Sequence, residues 1–419
     1  MRLVLKHVGN LTPLDEFGGR PARGPRSGLR SIKDAFLVAE EGRVSRLGPM
    51  TAYDPAWEEG ADVVSLPGSL VTPGLVDPHT HTVFAGWRAD EYVLRLQGTS
   101  YQEIMAAGGG IRRTVAATRA AGEDELAALA AGRLDQMLRR GVTTVESKSG
   151  YGLDLETELK QLRVNRRLDG EHPVDVVSTY LGAHVVPAGA SAGDYVDSVI
   201  GEVLPRVAAE GLAAFCDVFC DEGAFNPAQT RRILTRAAEL GLGLKLHADE
   251  LEGSGGAELA VELGATSADH LLKLSDRGLE ALASSPTVAV LLPGTAFFLR
   301  AGYAPARRLL DRGAAVALAT DLNPGSSPLI DLRLVMGLAC LQMGLTPAEA
   351  LAAVTVNAAH AVGLGDRAGS LGPGRTADLV VWRCPDYTHL PYFLGSDLVE
   401  AVYKGGRRVS PGPPPGRSP

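Results

Sequence analysis

The chain has 419 residues, of which 45% are apolar and 21% charged, and carries a formal net charge of −8. That balance excludes a long disordered polymer, and no Lys/Arg cluster is large enough for a phosphate-binding stripe, so nucleic acid is not expected as a partner. The length exceeds one ordinary core, so a large domain with a smaller one is expected.

The opening residues, MRLVLKHVGNLTPL, alternate apolar and polar side chains like a strand and contain no continuous apolar signal segment. The basic run from Arg20 to Arg30 is interleaved with Gly and Pro and reads as a solvated loop. Further short strands are expected around Phe36–Val44 and Ala61–Leu66.

From Leu70 to about Gly344, short β-branched runs alternate with Ala/Leu/Arg/Glu-rich stretches of helical period, the signature of repeated βα units. The expected strands are LVTPGLVDPHTH, GVTTVESKSG, VDVVSTYLGAH, AAFCDVFCDE, GLGLKLHAD, SADHLL, TVAVLLPG and AAVALATDLN. Eight strands with intervening helices close a TIM (β/α)8 barrel. The open doubly wound alternative lacks its glycine fingerprint, since Gly108–Ile111 does not follow a strand.

TPAEALAAVTVNAAHAVGL then reads as one helix, with Thr346 as its N-cap and Pro347 in the first turn. TADLVVW and VEAVYKGGRRV bring strands back. Neither flank holds enough residues for a core of its own, so residues 1–70 and 365–409 are expected to pair into one small β-sandwich. The catalytic barrel would span 71–364, and the tail 410–419, SPGPPPGRSP, is expected to be disordered.

Four cysteines in so long a chain make no disulfide framework, and no apolar run approaches the ~20 residues that span a bilayer. A cytoplasmic chain with no membrane partner is expected. Cys216 and Cys220 would share one face of a strand, and buried thiols are preferred there over a zinc site.

The chemistry concentrates in the histidines. His79 and His81 stand at i and i+2 in VDPHTH, so in a strand both point to one face, the barrel interior at its carboxyl end. His184, His247 and His270 end the third, fifth and sixth expected strands, and Asp321 ends the eighth. Five of the nine histidines thus collect where TIM-barrel sites form. His7, His172, His360 and His389 fall elsewhere and carry no assignment. His79, His81, His247 and Asp321 are the expected metal ligands, a set suited to one divalent ion, Zn²⁺ or Fe²⁺. A bound cation makes water a usable nucleophile near neutral pH.

VTPGLVDPHTH, KLHADE, ATDLNPGSSP and GSLGPGRTADLVVW resemble the amidohydrolase superfamily. Within it, HTVFAGWRADEYVLRLQGTSYQEIMAAGGGIRRTV, ESKSGYGLDLETELK and YLGAHVVP are similar to the imidazolonepropionases of histidine degradation, over nearly the whole chain. The resemblance implies hydrolysis of 4-imidazolone-5-propanoate to N-formimidoyl-L-glutamate, with water attacking the ring carbonyl carbon and the C–N bond opening. It also implies a homodimer.

Such a substrate carries a carboxylate, and Arg88 in the first βα loop supplies a guanidinium for it. The resemblance points to Arg88, Tyr101 and Tyr151 as substrate contacts; the glycines flanking Tyr151 permit close approach. It points to Glu250 for bonding the ring nitrogens and moving protons. His270 and His184 are candidates to polarise the carbonyl or hold the ring, and Asp321 to accept the water's proton. Asn323, Gly325 and Ser326 match positions that hold the amino-acid end of the product; Ser326 stands where relatives often carry Thr.

The fourth strand contains no lysine, unlike relatives that bridge two metals through a carboxylated lysine, so a single metal is expected. Lys148 and Lys245 are left to charge balance or structure, and Asp77 to a structural role. A single-metal deaminase of guanine or a related heterocycle is the alternative; a non-catalytic relative is disfavoured because all four ligands are present.

Overall fold

The computed structural model describes residues 1–99, 103–104 and 107–409. Eight parallel strands form one sheet: β6 (Leu75–Asp77), β7 (Val142–Lys148), β8 (Asp175–Ala183), β9 (Phe215–Cys220), β10 (Gly243–Ala248), β11 (Ser267–His270), β12 (Val288–Leu291) and β13 (Val316–Leu318). They pair in chain order from β6 to β13. The seam between first and last lies just beyond their ends. There Asp321 N donates to His79 O at 3.0 Å and His81 N to Leu322 O at 2.9 Å. The eight expected strands are all present, and the sheet is a near-closed TIM barrel.

Strand alternation sorts side chains to the two faces. On β9, Cys216, Val218 and Cys220 join the apolar layer between strands and helices; on β10, Leu244, Leu246 and Ala248 do the same. Each such buried leucine or valine contributes about 1.5–3 kcal/mol. The intervening residues, Asp217 on β9 with Lys245 and His247 on β10, face the barrel axis and are equally buried. The cysteines are unpaired.

The flanks build a second eight-stranded sheet from β1 (Arg2–Leu11), β2 (Ile32–Glu40), β3 (Arg43–Pro49), β4 (Ala61–Ser65), β5 (Leu70–Pro73), β14 (Leu379–Trp382), β15 (Val399–Lys404) and β16 (Arg407–Arg408). β1 pairs with β2 along one edge and divides the other between β4 and β5; β5 then pairs with β14. The two termini therefore share one continuous hydrogen-bonded sheet. Its apolar cluster draws Leu3, Leu5 and Leu37 from one flank and Leu379, Val381 and Tyr403 from the other.

Three sequence expectations need correction. LVTPGLVDPHTH is two strands, because β5 belongs to the terminal sheet and β6 to the barrel. The chain crosses at Gly74, where a Cβ would collide with the Thr143 side chain. The helix expected after Thr346 is also two, Pro347–Ala353 and Val356–Ala361. Its capping box with Glu349 is present, but the Val354 carbonyl is taken by Val76 N of the barrel at 2.9 Å, and the path breaks at Thr355. The Arg20–Arg30 run is docked rather than free: Arg23 reaches the carbonyls of Ala283, Ser285 and Gly313. Among the described residues, no helix is long and apolar enough to cross a membrane. The tail from 410 lies outside them.

Candidate metal centre and active site

The seam positions the first ligands. Because the segments after β6 and β13 hydrogen-bond to each other, Nε2 of His79 and Nε2 of His81 each lie 3.6 Å from Asp321 Oδ1. His247 on β10 joins them: ring nitrogens of His79, His81 and His247 lie within 4.8 Å of one another. Asp321 has a left-handed backbone, φ 54°, a conformation that costs on the order of 1 kcal/mol outside glycine. Its second oxygen accepts the Thr295 hydroxyl at 2.6 Å.

Outer carboxylates orient two of the rings. Nδ1 of His79 meets Asp269 Oδ2 at 2.6 Å, and Nδ1 of His247 meets Asp217 Oδ2 at 3.0 Å. A carboxylate at Nδ1 fixes the proton there and leaves Nε2 with a free lone pair, the arrangement of a metal-bound histidine. His79 Nε2 is buried and has no hydrogen-bond partner among the described residues. Burial, then the charge of Lys148, holds the His79 pKa well below the ordinary imidazole range. Burial, then His184, does the same for His81. Both rings are therefore neutral, as ligands must be. For His247, burial opposes protonation but Asp217 outweighs it, and the pKa is raised. Three imidazoles and a carboxylate, one of the imidazoles offering a buried nitrogen with no hydrogen-bond partner among the described residues, fit a divalent cation.

A second acidic group, His79 with Glu146 and Asp269, lies below. Those carboxylates already face ammonium groups: Lys148 is 2.9 Å from Glu146 and 3.5 Å from Asp269, and Lys245 is 3.1 Å from Glu146. Asp77 accepts from the backbone and the hydroxyl of Thr320, tying β6 to the end of β13.

Above the ligands opens a cavity of about 900 Å³, lined among others by His81, Arg88, Tyr151, His184, Glu250 and His270. His184 stacks on His81 with ring centroids 5.5 Å apart and bonds Gly150 O through Nδ1 at 3.1 Å. Burial pushes its pKa down to about 3. Tyr151 is buried, its ring 5.6 Å from those of His81 and His184. His270, also left-handed at φ 76°, brings Nδ1 to 3.5 Å from Glu250 Oε1. Burial, then Asp321, raises the Glu250 pKa to about 8.

Glu250 stands on no helix; its loop is held by a neighbouring acid. Asp221 accepts the backbone N–H groups of Glu250, Leu251 and Glu252 at 2.8, 2.7 and 3.0 Å. Asp249, at φ 51°, accepts those of Gly255, Gly256 and Ala257.

Arg88 precedes the helix Ala89–Leu96 and lies 4.0 Å from Glu91, which also accepts Gly110 N. Its Nε is buried without a hydrogen-bond partner among the described residues. The guanidinium lies against Gly325, where a Cβ would fall on it. Asn323 and Ser326 line the same cavity, but much of their hydrogen bonding is internal to the turn. Asn323 Oδ1 accepts Gly325 N and Ser326 N, and its Nδ2 donates to Asp321 O and Ser326 Oγ. Tyr101 lies outside the described residues.

Sequence reasoning passed over Asp217, Asp269, Thr295, Asp221 and Glu91. For Asp217 and Asp269 a signal existed: an acid alternating inward on an otherwise apolar buried strand needs a buried partner. Glu91 stands one helical turn beyond Arg88. Thr295 and Asp221 carried no signal.

The amidohydrolase family model matches residues 70–409. An imidazolonepropionase of Geobacillus kaustophilus is 52% identical over 388 residues, covering 91% of this chain and 92% of that protein. Among solved structures, a triazine hydrolase variant aligns with TM-score 0.74 at 17% identity, covering 97% of this chain and 94% of that one. Escherichia coli guanine deaminase aligns with TM-score 0.69 at 18% identity, covering 98% and 99%. At such identities these two share the fold alone.

Proposed function

The chain belongs to the amidohydrolase family and, within it, to the imidazolonepropionases, and from that premise we propose how its residues divide the reaction. It is a hydrolase of a cyclic-amide C–N bond that opens 4-imidazolone-5-propanoate to N-formimidoyl-L-glutamate in histidine degradation. Residues 71–364 are assigned as the catalytic barrel, with 1–70 and 365–409 as the composite second domain.

His79, His81, His247 and Asp321 would hold one divalent cation, zinc or iron(II), which supplies Lewis acidity and a water acidified into the neutral range. Asp321, anchored through its other oxygen by Thr295, takes the proton of the water that attacks the ring carbonyl carbon. Glu250, whose carboxyl is pushed up to about 8 by burial in the metal-free fold, gives a proton to the ring nitrogen that leaves as the C–N bond opens. His270 donates a hydrogen bond to the carbonyl oxygen as negative charge develops there. His184 and Tyr151 flank the ring. Arg88 grips the propanoate carboxylate together with Tyr101, and the turn at Asn323, Gly325 and Ser326 receives the amino-acid end.

The meeting of His79 and His81 with Asp321, the clustering of His247 with both of them, and a His79 Nε2 with no hydrogen-bond partner among the described residues carry this assignment. A deaminase of an uncharged heterocycle would offer the Arg88 guanidinium, which lines the cavity with Glu91 as its neighbour at 4.0 Å, no substrate carboxylate to meet. The test is hydrolysis of freshly made 4-imidazolone-5-propanoate before and after chelation. Activity lost on metal removal and restored by Zn²⁺ or Fe²⁺ is expected; full activity in metal-free protein would overturn the ligand assignment. A cytoplasmic homodimer is part of the same proposal, and light scattering should give about twice the 43.9 kDa of one chain.

A further inference from the structure

Beneath the metal ligands, five charged side chains are wholly shielded from solvent: Glu146, Lys148, Asp217, Lys245 and Asp269. Three carboxylates against two ammonium groups leave a formal charge of −1 in the closed end of the site. Buried ions persist only where partners compensate their lost hydration, so the pairing pattern is informative.

Lys148 stands at the centre. Its Nζ is 2.8 Å from Asp217 Oδ2, 2.9 Å from Glu146 Oε2 and 3.5 Å from Asp269 Oδ2. The two aspartate oxygens it faces are the same atoms that meet Nδ1 of His247 and Nδ1 of His79. Its backbone N–H donates to Thr80 O at 2.9 Å, between His79 and His81. One residue thus fixes the HxH segment through its backbone and two outer carboxylates through its ammonium. Glu146 is held in turn by Lys245 and the Thr179 hydroxyl.

We propose that Lys148 is a positioning residue for the metal centre: its ammonium holds Asp217 and Asp269 so that His247 and His79 present Nε2 lone pairs in a fixed geometry. It also places a cation among Glu146, Asp217 and Asp269, which keeps a second metal out. The inference rests on the ligand set proposed above.

The test compares the unaltered protein with Lys148→Met and with the double variant Lys148→Met/Glu146→Gln, whose buried formal charge remains −1. Metal affinity is read by competition with a chelator, coordination geometry by the visible spectrum of the Co²⁺-loaded protein, and folding by thermal melting. The single variant is expected to melt early from its charge imbalance. The double variant is expected to recover stability yet bind metal about 10- to 100-fold more weakly, the range for losing outer-shell support, with shifted Co²⁺ bands. Parent-like affinity and spectrum in the double variant would reduce Lys148 to charge balance and overturn the proposal. If neither variant folds, imidazole ¹⁵N spectra of the unaltered metal-free protein decide it. Nδ1–H tautomers at His79 and His247 with a slowly exchanging Lys148 ammonium are expected, and Nε2–H tautomers or a fast-exchanging ammonium would overturn it. Failure of the unaltered protein to bind metal would count against the ligand set itself, a different outcome from parent-like variants.

Discussion

On the strand side of the cavity, His79, His247 and Asp321 each have one side-chain atom tied by a second buried residue, Asp269, Asp217 and Thr295 respectively. On the loop side, Arg88, Glu250 and Asn323 are placed by the start of a helix, by the backbone cradle of Asp221 and by a self-bonded turn. The strand side is over-determined and shielded, as a metal bed requires, whereas the loop side presents groups that meet different parts of a substrate. The barrel thereby separates holding a cation from recognising a ligand, and changes to either side should be separable in measurement.

Substitutions test that separation. His247→Ala should abolish turnover and lower metal content together, with affinity falling beyond the roughly 10- to 100-fold typical of outer-shell losses; retention of a full metal complement would remove His247 from the ligand set. Glu250→Gln should leave metal content unchanged while kcat drops by about 10²- to 10⁴-fold, as for loss of a general acid–base group. Metal loss in that variant would place Glu250 on the strand side. Arg88→Ala should raise KM by about 10- to 100-fold, in line with one charged hydrogen-bonding group, and Arg88→Lys should not restore it. An unchanged KM would end the carboxylate assignment.

A smaller effect follows from burial. In the metal-free fold the Glu250 carboxyl titrates at about 8, far above its ordinary value, because it is buried near Asp321. The folded state therefore holds a proton that the unfolded chain has already lost. Stability is fully present below the ordinary carboxyl range and falls as pH rises through 8, by about 1 kcal/mol between pH 7 and 9. Urea titrations of the metal-free protein should show that slope, and Glu250→Gln should flatten it; equal slopes would put the titration elsewhere.

The sequence carried the barrel clearly because eight apolar runs alternate with helical stretches, and it carried the strand-end histidines because period-two spacing decides facing. It did not reveal that β5 and β6 part at Gly74, since apolar pairs stand on both sides of Thr72–Pro73–Gly74 and only the change of pairing partner separates the two strands. Nor did alanine-rich residues 346–364 disclose their break, which depends on a carbonyl bonded to the distant Val76. The buried cage is half visible: the sequence leaves Lys148 and Lys245 to charge balance or structure, but their partners Asp217 and Asp269 need the register of neighbouring strands. Asp221, through three backbone bonds, and Thr295, through one hydroxyl, act between distant segments, which no local spacing encodes.

The central claim is that one divalent ion sits on His79, His81, His247 and Asp321. Crystals of the metal-loaded protein, with diffraction recorded above and below the absorption edge of the bound metal, test it most directly. A single anomalous peak is expected at about 2.0–2.2 Å from those four side chains, with none between Glu146, Asp217 and Asp269. A peak in that lower cage, or no peak among the four ligands in catalytically active crystals, would contradict the account.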